Sequence, residues 1–322
     1  MQRRYPVTRL RRNRHDAATR RLVAEARLSP HDLIWPIFVT QADTASPVDG
    51  FADVVRHPLG DLPKVARRAV DLGIPVLAVF PDTPADKRDD RASEAVRPDN
   101  LMNRAISQIK QAEPDILVMA DVALDCYTSH GHDGLWIDGD VHNDQTIEVL
   151  VQQALIQAKA GADILGPSDM MDGRVGAIRT ALEGEGLTST RIMSYAAKYA
   201  SALYGPFRAA VGSASTLIGD KKSYQLDPAN SDEAVHSAAM DLQEGADMVM
   251  VKPGLPYLDI VYRLKHELRV PTFAYHVSGE YAMMKAYGDP RLLMESLLAF
   301  KRAGADGILT YGAAEAAQDL NA

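Results

Sequence analysis

Cysteine is nearly absent from this chain: Cys126 is the only one among 322 residues. That excludes an intrachain disulfide and any metal site built from a cluster of thiolates. Long apolar runs are missing too, none approaching the roughly 18 residues of a membrane span. The first residues lack the apolar core of a signal peptide, so a cytoplasmic protein with no membrane association is expected. The G-x-G-x-x-G phosphate turn of a doubly wound dinucleotide-binding sheet is also absent.

What is present is ordinary for a globular protein, with 46% hydrophobic and 24% charged residues. The length suggests about two domains, although one α/β barrel uses about 200 to 250 residues. Charge is unevenly spread. Residues 1 to 27 hold nine arginines against Asp16 and Glu25, a local balance of +7 that leaves −15 on the remainder of a chain whose net charge is −8. A basic arm can bind nucleic acid. This one has only Tyr5 for stacking and no glycine-rich repeat, so docking on the acidic body of a neighbouring copy is the better reading, with no nucleic-acid partner.

From residue 31 on, short apolar segments recur between helical stretches. Leu33 to Val39, Ile74 to Phe80, Ile116 to Ala120, Ile164 to Gly166, Ile192 to Tyr195, Met248 to Val251, Thr272 to Tyr275 and Gly307 to Thr310 read as eight strands buried on both faces. Helical spacing is clear over 62–72, 99–112 and 144–160. Gly-Ala-Asp at 161–163, 245–247 and 304–306 stops a helix and starts a strand three times. Eight such units predict a (β/α)8 TIM barrel over residues 31–322, with an extended N-terminal arm over 1–30. The polar stretch 81–97 reads as a long, mobile, lid-like connection.

A barrel places its chemistry at the C-terminal ends of its strands. Lys252 closes the sixth strand and is followed at once by Pro253-Gly254, and Lys198 lies at or just beyond the end of the fifth. Burial disfavours an ammonium, and a second lysine nearby disfavours it further, so a neutral amine becomes available to attack a carbonyl. The alternative is a lysine that packs its stem and extends its head to water or a carboxylate. The third strand delivers Asp121, Asp125, His130, His132 and Asp133, an acid/base loop or a metal site, and Ser168 follows the fourth strand. His130-Gly131-His132 invites comparison with H-x-H zinc hydrolases, but it lies in a glycine-flanked loop after the third strand. Arg208, Lys221, Lys222 and Gln225 can clamp a carboxylate, and Ser278 and Tyr311 add hydroxyls at the mouth. Each of these is equally compatible with an ordinary polar position.

Tyr204-Gly205-Pro206-Phe207-Arg208, Met250 to Asp259 and Tyr275 to Glu280 together resemble the porphobilinogen synthase (delta-aminolevulinic acid dehydratase) family, along essentially the whole chain. The resemblance implies a hydro-lyase of tetrapyrrole (heme) biosynthesis that joins two molecules of 5-aminolevulinate into porphobilinogen with loss of two waters. It implies Schiff bases on Lys252, which holds the propionyl-side substrate, and on Lys198, which activates the acetyl side. Arg208, Lys221 and Gln225 would receive the acetyl-side substrate, and Ser278 and Tyr311 the other carboxylate. A homo-oligomer, hexamer or octamer, assembled through the arm is also implied.

Zinc-dependent relatives place three cysteines where this chain has Ala123, Asp125 and Asp133. By the same likeness, the glutamate that holds an allosteric magnesium is Ser237 here. No metal ligand is therefore assigned, no cofactor is expected to be required, zinc is disfavoured, and magnesium is left as a weaker alternative. Another imine-forming barrel lyase, such as a class I aldolase with one essential lysine, is the competing activity. A non-catalytic assembly protein using its arm is a third.

Overall fold

The computed structural model describes residues 3–48, 51, 53–211 and 217–322. Eight parallel strands close on themselves: β1 (Leu33–Thr40), β2 (Val76–Pro81), β3 (Leu117–Val122), β4 (Ile164–Pro167), β5 (Arg191–Lys198), β6 (Met248–Lys252), β7 (Thr272–His276) and β8 (Gly307–Thr310). Each pairs with the next in the chain, and β8 returns to β1 through Leu33 beside Ile308 and Ile34 beside Leu309. The strands are apolar and almost wholly buried because helices cover the outer face and side chains fill the interior. The fold is the expected (β/α)8 TIM barrel.

The repeated Gly-Ala-Asp signal has a physical basis. Gly161, Gly245 and Gly304 adopt φ near +110°, +107° and +108°, a left-handed conformation that ends the preceding helix and favours glycine. The aspartate two residues on then accepts the backbone N–H of a residue in the preceding strand. Asp163 takes Val118 at 2.8 Å, Asp247 takes Ile192 at 2.7 Å and Asp306 takes Thr272 at 2.7 Å. Lys110, Arg179 and Lys265 neutralise the three carboxylates at 3.0, 2.7 and 2.7 Å. These bolts lie at the N-terminal ends of the strands, the face that carries stability and leaves the opposite mouth free for chemistry.

β3 runs on past the expected boundary to Val122, so Asp121 belongs to the strand, while β5 ends at Lys198, where the second lysine was expected. Helices Leu62–Asp71, Leu101–Ala112 and Asn143–Ala160 match the periodic stretches. The connection 81–97 is a long polar loop with local order. It carries 3-10 turns at Ala85–Lys87 and Ser93–Val96, buries Thr83, Ala92, Glu94 and Ala95, and bridges Asp89 to Thr128. Ala92 and Ala95 are fully buried although Ala85 is exposed, which a count of charges along the segment conceals.

In the arm, turn Leu10–Arg14 and helix Ala17–Leu22 have no buried residue. Tyr5, Val7, Leu10 and Leu22 are exposed by 64% or more.

Candidate active site

Lys198 and Lys252 are direct register partners on β5 and β6. The pairing depends on an irregularity: Val249 faces Ser194, yet Val251 faces Ala197, so β5 carries one extra residue between them. Without that bulge Lys252 would stand beside Ala197, and Lys198 would project from the opposite side of its strand.

The two amines have different surroundings. Lys198 Nζ donates to Asp133 Oδ1 at 3.1 Å and to the Ser168 carbonyl. Lys252 Nζ has no ion-pair partner among the described residues. It lies 4.6 Å from the ring centre of Tyr275, 4.9 Å from Phe207, 5.2 Å from Tyr195 and 5.3 Å from Tyr204. Those π-faces soften the loss of water around a cation without neutralising it. Burial, and then the charge of Lys198, push the Lys252 amine down to about 7.

Asp121, at the end of β3, is pushed up to about 7 by burial, against the pull of Lys252 and Lys198, with Ser168 beside it. Its Oδ1 has no hydrogen-bond partner among the described residues. Buried Asp133 is held below the usual carboxylate range: burial opposes its charge, and the ammoniums of Lys198 and Lys221 outweigh that penalty. Lys221 bonds Asp133 at 2.8 Å and Asp125 at 3.4 Å. In this structure it is therefore part of a carboxylate-ammonium network, and it would have to share its charge with any substrate carboxylate.

The other expected residues gather at the same mouth. Gln225 is buried with Oε1 unpartnered among the described residues. The Tyr311 hydroxyl lies 2.7 Å from that of Tyr275. Ser278 Oγ accepts the Phe207 N–H at 3.1 Å and donates to the Leu203 carbonyl at 3.2 Å. Arg208 is half-buried on helix Gly205–Ala210, its guanidinium 5.9 Å from the Tyr204 ring centre.

His130 and His132 are not arranged as metal ligands. His132 stacks on Trp136 at 4.5 Å, and its ring nitrogens contact the Tyr224 hydroxyl at 3.0 Å and the Ile218 carbonyl at 2.7 Å. A zinc triad does not fit either. Ala123 offers no donor, Asp125 and Asp133 are engaged by ammoniums, and burial pushes the Cys126 thiol up. Among the described residues no three His, Cys, Asp or Glu side chains form a cation-binding group. Ser237 lies on helix Asp232–Gln243 and lines a cavity of about 580 Å³ that Tyr224 and Gln225 also line.

Sequence reasoning missed the enclosure of Lys252. Tyr204, Phe207 and Tyr275 stood in quoted motifs without this role, and Tyr195 was hidden because the β5 bulge breaks the alternation that would have placed it. It also missed Asp169, a buried carboxyl pushed up to about 6 by burial and lying 3.8 Å from Arg174.

Fold and site together define a barrel enzyme with two amines at one mouth, one of them held close to neutral. The profile of the delta-aminolevulinic acid dehydratase family matches residues 7–319. The chain is 54% identical over 318 residues to the delta-aminolevulinic acid dehydratase of Bradyrhizobium diazoefficiens, covering 96% of this chain and 90% of that one. It is 52% identical over 325 residues to that of Rhodobacter capsulatus, covering 99% and 98%. A crystal structure of the Toxoplasma gondii ME49 enzyme, in complex with its reaction product porphobilinogen, superposes with a TM-score of 0.94 at 47% identity, covering 97% of this chain and 91% of that one. The chain belongs to the delta-aminolevulinic acid dehydratase, or porphobilinogen synthase, family, and the aldolase alternative is not favoured.

Proposed function

We propose that this chain is a hydro-lyase that condenses two molecules of 5-aminolevulinate into porphobilinogen, in tetrapyrrole (heme) biosynthesis, through imines on Lys252 and Lys198. The observation that carries the reading is the register pairing of the two lysines, with the Lys252 amine held near neutrality.

A neutral Lys252 amine attacks the ketone of the propionyl-side substrate, and the carbinolamine loses one water to become an imine. Lys198 does the same with the acetyl-side substrate, releasing the second water. Two imines thus account for both waters, and each lysine leaves as an amine when the C–C and C–N bonds of the pyrrole form. Asp121, with Ser168 beside it, is the group placed to give and take the protons of these steps. Asp133 holds Lys198 in place as a counter-ion. Arg208, Lys221 and Gln225 receive the acetyl-side carboxylate, with Asp125 steadying Lys221, while Ser278 and Tyr311 receive the other.

No metal takes part in this scheme, because Ala123 offers no donor and the carboxylates of Asp125 and Asp133 are taken by ammoniums. The exposed arm docks on a second copy of the chain in a hexamer or octamer. Incubation of the protein with 5-aminolevulinate and assay for a pyrrole tests the proposal, and absence of any pyrrole refutes it.

A further inference from the structure

We propose that Glu280 is a positioning residue for Lys252, tying the turn after β6 to the start of the helix after β7 that begins with Ser278. The inference rests on the function proposed above and adds to it a residue that touches neither substrate nor amine.

Lys252 is the last residue of its strand, so its placement depends on what holds the main chain on either side. On the β5 side, the Lys252 carbonyl accepts the Tyr199 N–H at 2.9 Å and the Tyr204 hydroxyl at 3.1 Å. Beyond Pro253, the next two N–H groups are claimed by one side chain. Glu280 Oε1 accepts Leu255 N–H at 2.5 Å, and Oε2 accepts Gly254 N–H at 3.4 Å. Oε2 also accepts Val277 N–H at 2.6 Å, at the N-cap of helix Ser278–Tyr287.

A buried carboxylate is an expensive choice for a helix cap, and the geometry says why it is used. Both oxygens accept, from two different strand ends, and a carboxylate offers only acceptors. A glutamine would turn an NH2 group towards N–H donors and leave one loop unpaired. Burial pushes Glu280 up to about 7 while the three N–H groups oppose that rise, so the clamp works against its own desolvation.

The neighbouring glycines show how tightly the two loops are set. A Cβ at Gly279 would stand 2.6 Å from the Leu203 carbonyl oxygen, and one at Gly254 would stand 2.4 Å from the Phe300 ring. Ser278 is then bonded to the Leu203 carbonyl and the Phe207 N–H, and the Phe207 ring faces Lys252. Glu280 thereby couples the imine lysine to the loop of the propionyl-side carboxylate site.

The test uses Glu280→Gln and Glu280→Asp, with borohydride trapping and steady-state kinetics. Displacement of a reacting group by about 1 Å can cost about 10²-fold in rate. Glu280→Gln should therefore lose about 10²-fold in kcat and slow trapping at Lys252 at saturating substrate, with a smaller change in KM. Glu280→Asp, still acceptor-only but too short to span both loops, should fall between Gln and the parent. A cap of purely structural value would lower the melting temperature and leave trapping in the folded fraction at the parent rate, and that result overturns the proposal. In the parent enzyme the amides of Gly254, Leu255 and Val277 should be protected from hydrogen exchange, and free exchange at these amides overturns it even if neither variant folds. Absence of any lysine adduct in the parent would refute the imine reading itself, a separate outcome from the exchange result.

Discussion

Lys198 and Lys252 stand side by side because β5 carries one more residue than β6 between their common anchor, Ser194 beside Val249, and the mouth of the barrel. Paired residues on adjacent parallel strands project to the same face. The bulge therefore converts two lysines of unrelated parity into a pair of amines, and their mutual repulsion assists burial in keeping Lys252 close to neutral.

Borohydride added with 5-aminolevulinate should trap a covalent adduct on Lys252 and, more weakly, on Lys198, whose ammonium is bonded to Asp133 and the Ser168 carbonyl. Lys252→Ala should lose activity by about 10³-fold or more, since binding alone does not replace a covalent catalyst. Mass spectrometry of the digested protein locates the adduct, and normal turnover in the variant would sink the assignment.

The pH profile follows from Lys252 and Asp121, both near 7. The amine must be neutral, so activity rises as pH rises through about 7. Asp121 must be protonated to donate, so activity falls above about 7. A narrow bell is expected, its two apparent values belonging to the interacting pair. In Asp121→Asn the alkaline limb should flatten while the acid limb remains and moves to lower pH, because the Asp121 charge no longer raises Lys252. An unchanged alkaline limb would remove Asp121 from proton transfer.

Stability should show the cost of the same amine. The folded value of Lys252 lies below its ordinary 10.5, so between about 7 and 10.5 the unfolded chain binds more protons and stability rises with pH. Lys252→Met keeps the volume and removes the charge, and should melt higher than the parent. The gap should be widest below pH 7 and narrow towards 10.5. Calorimetry across that range checks it, and a lower melting temperature at pH 7 would contradict the account.

Strong chelation should leave most activity intact, because ammoniums occupy the carboxylates that would face a metal. Loss of turnover restored only by zinc would show that the Asp125 and Asp133 loop has been misread. Restoration by magnesium alone would point instead to the helix that carries Ser237.

Deleting residues 1–27 should shrink the oligomer and lower activity while leaving a folded barrel. Isolated surface ion pairs contribute about 0 to 1 kcal/mol each, so the effect depends on contacts repeated symmetrically across the assembly. High salt should act in the same direction by screening the +7 arm from the acidic body. Sedimentation of both chains at matched concentration decides it. A truncated protein with the parent's size and full activity would make the arm a solvated tail.

The barrel was legible in the sequence because its signals are local. Continuous apolar runs form two-faced strands, and Gly161, Gly245 and Gly304 need their left-handed turn wherever the chain lies. Lysines at strand ends, and the motifs around Tyr204, Lys252 and Tyr275, can likewise be read without coordinates. The turns and buried alanines within segment 81–97 were not legible, because burial of Ala92 and Ala95 is set by what lies opposite them.

Only the tertiary structure decided how the surroundings of the two amines differ. The rings around Lys252 come from β5, β7 and the segment 204–207, and the carboxylate beside Lys198 comes from the loop after β3. Desolvation and charge act through space over a few ångströms, and strand register is a property of the neighbouring strand as much as of the strand itself. The residue types were therefore written in the chain, whereas the near-neutral amine of Lys252 and the clamp at Glu280 exist only once distant segments meet.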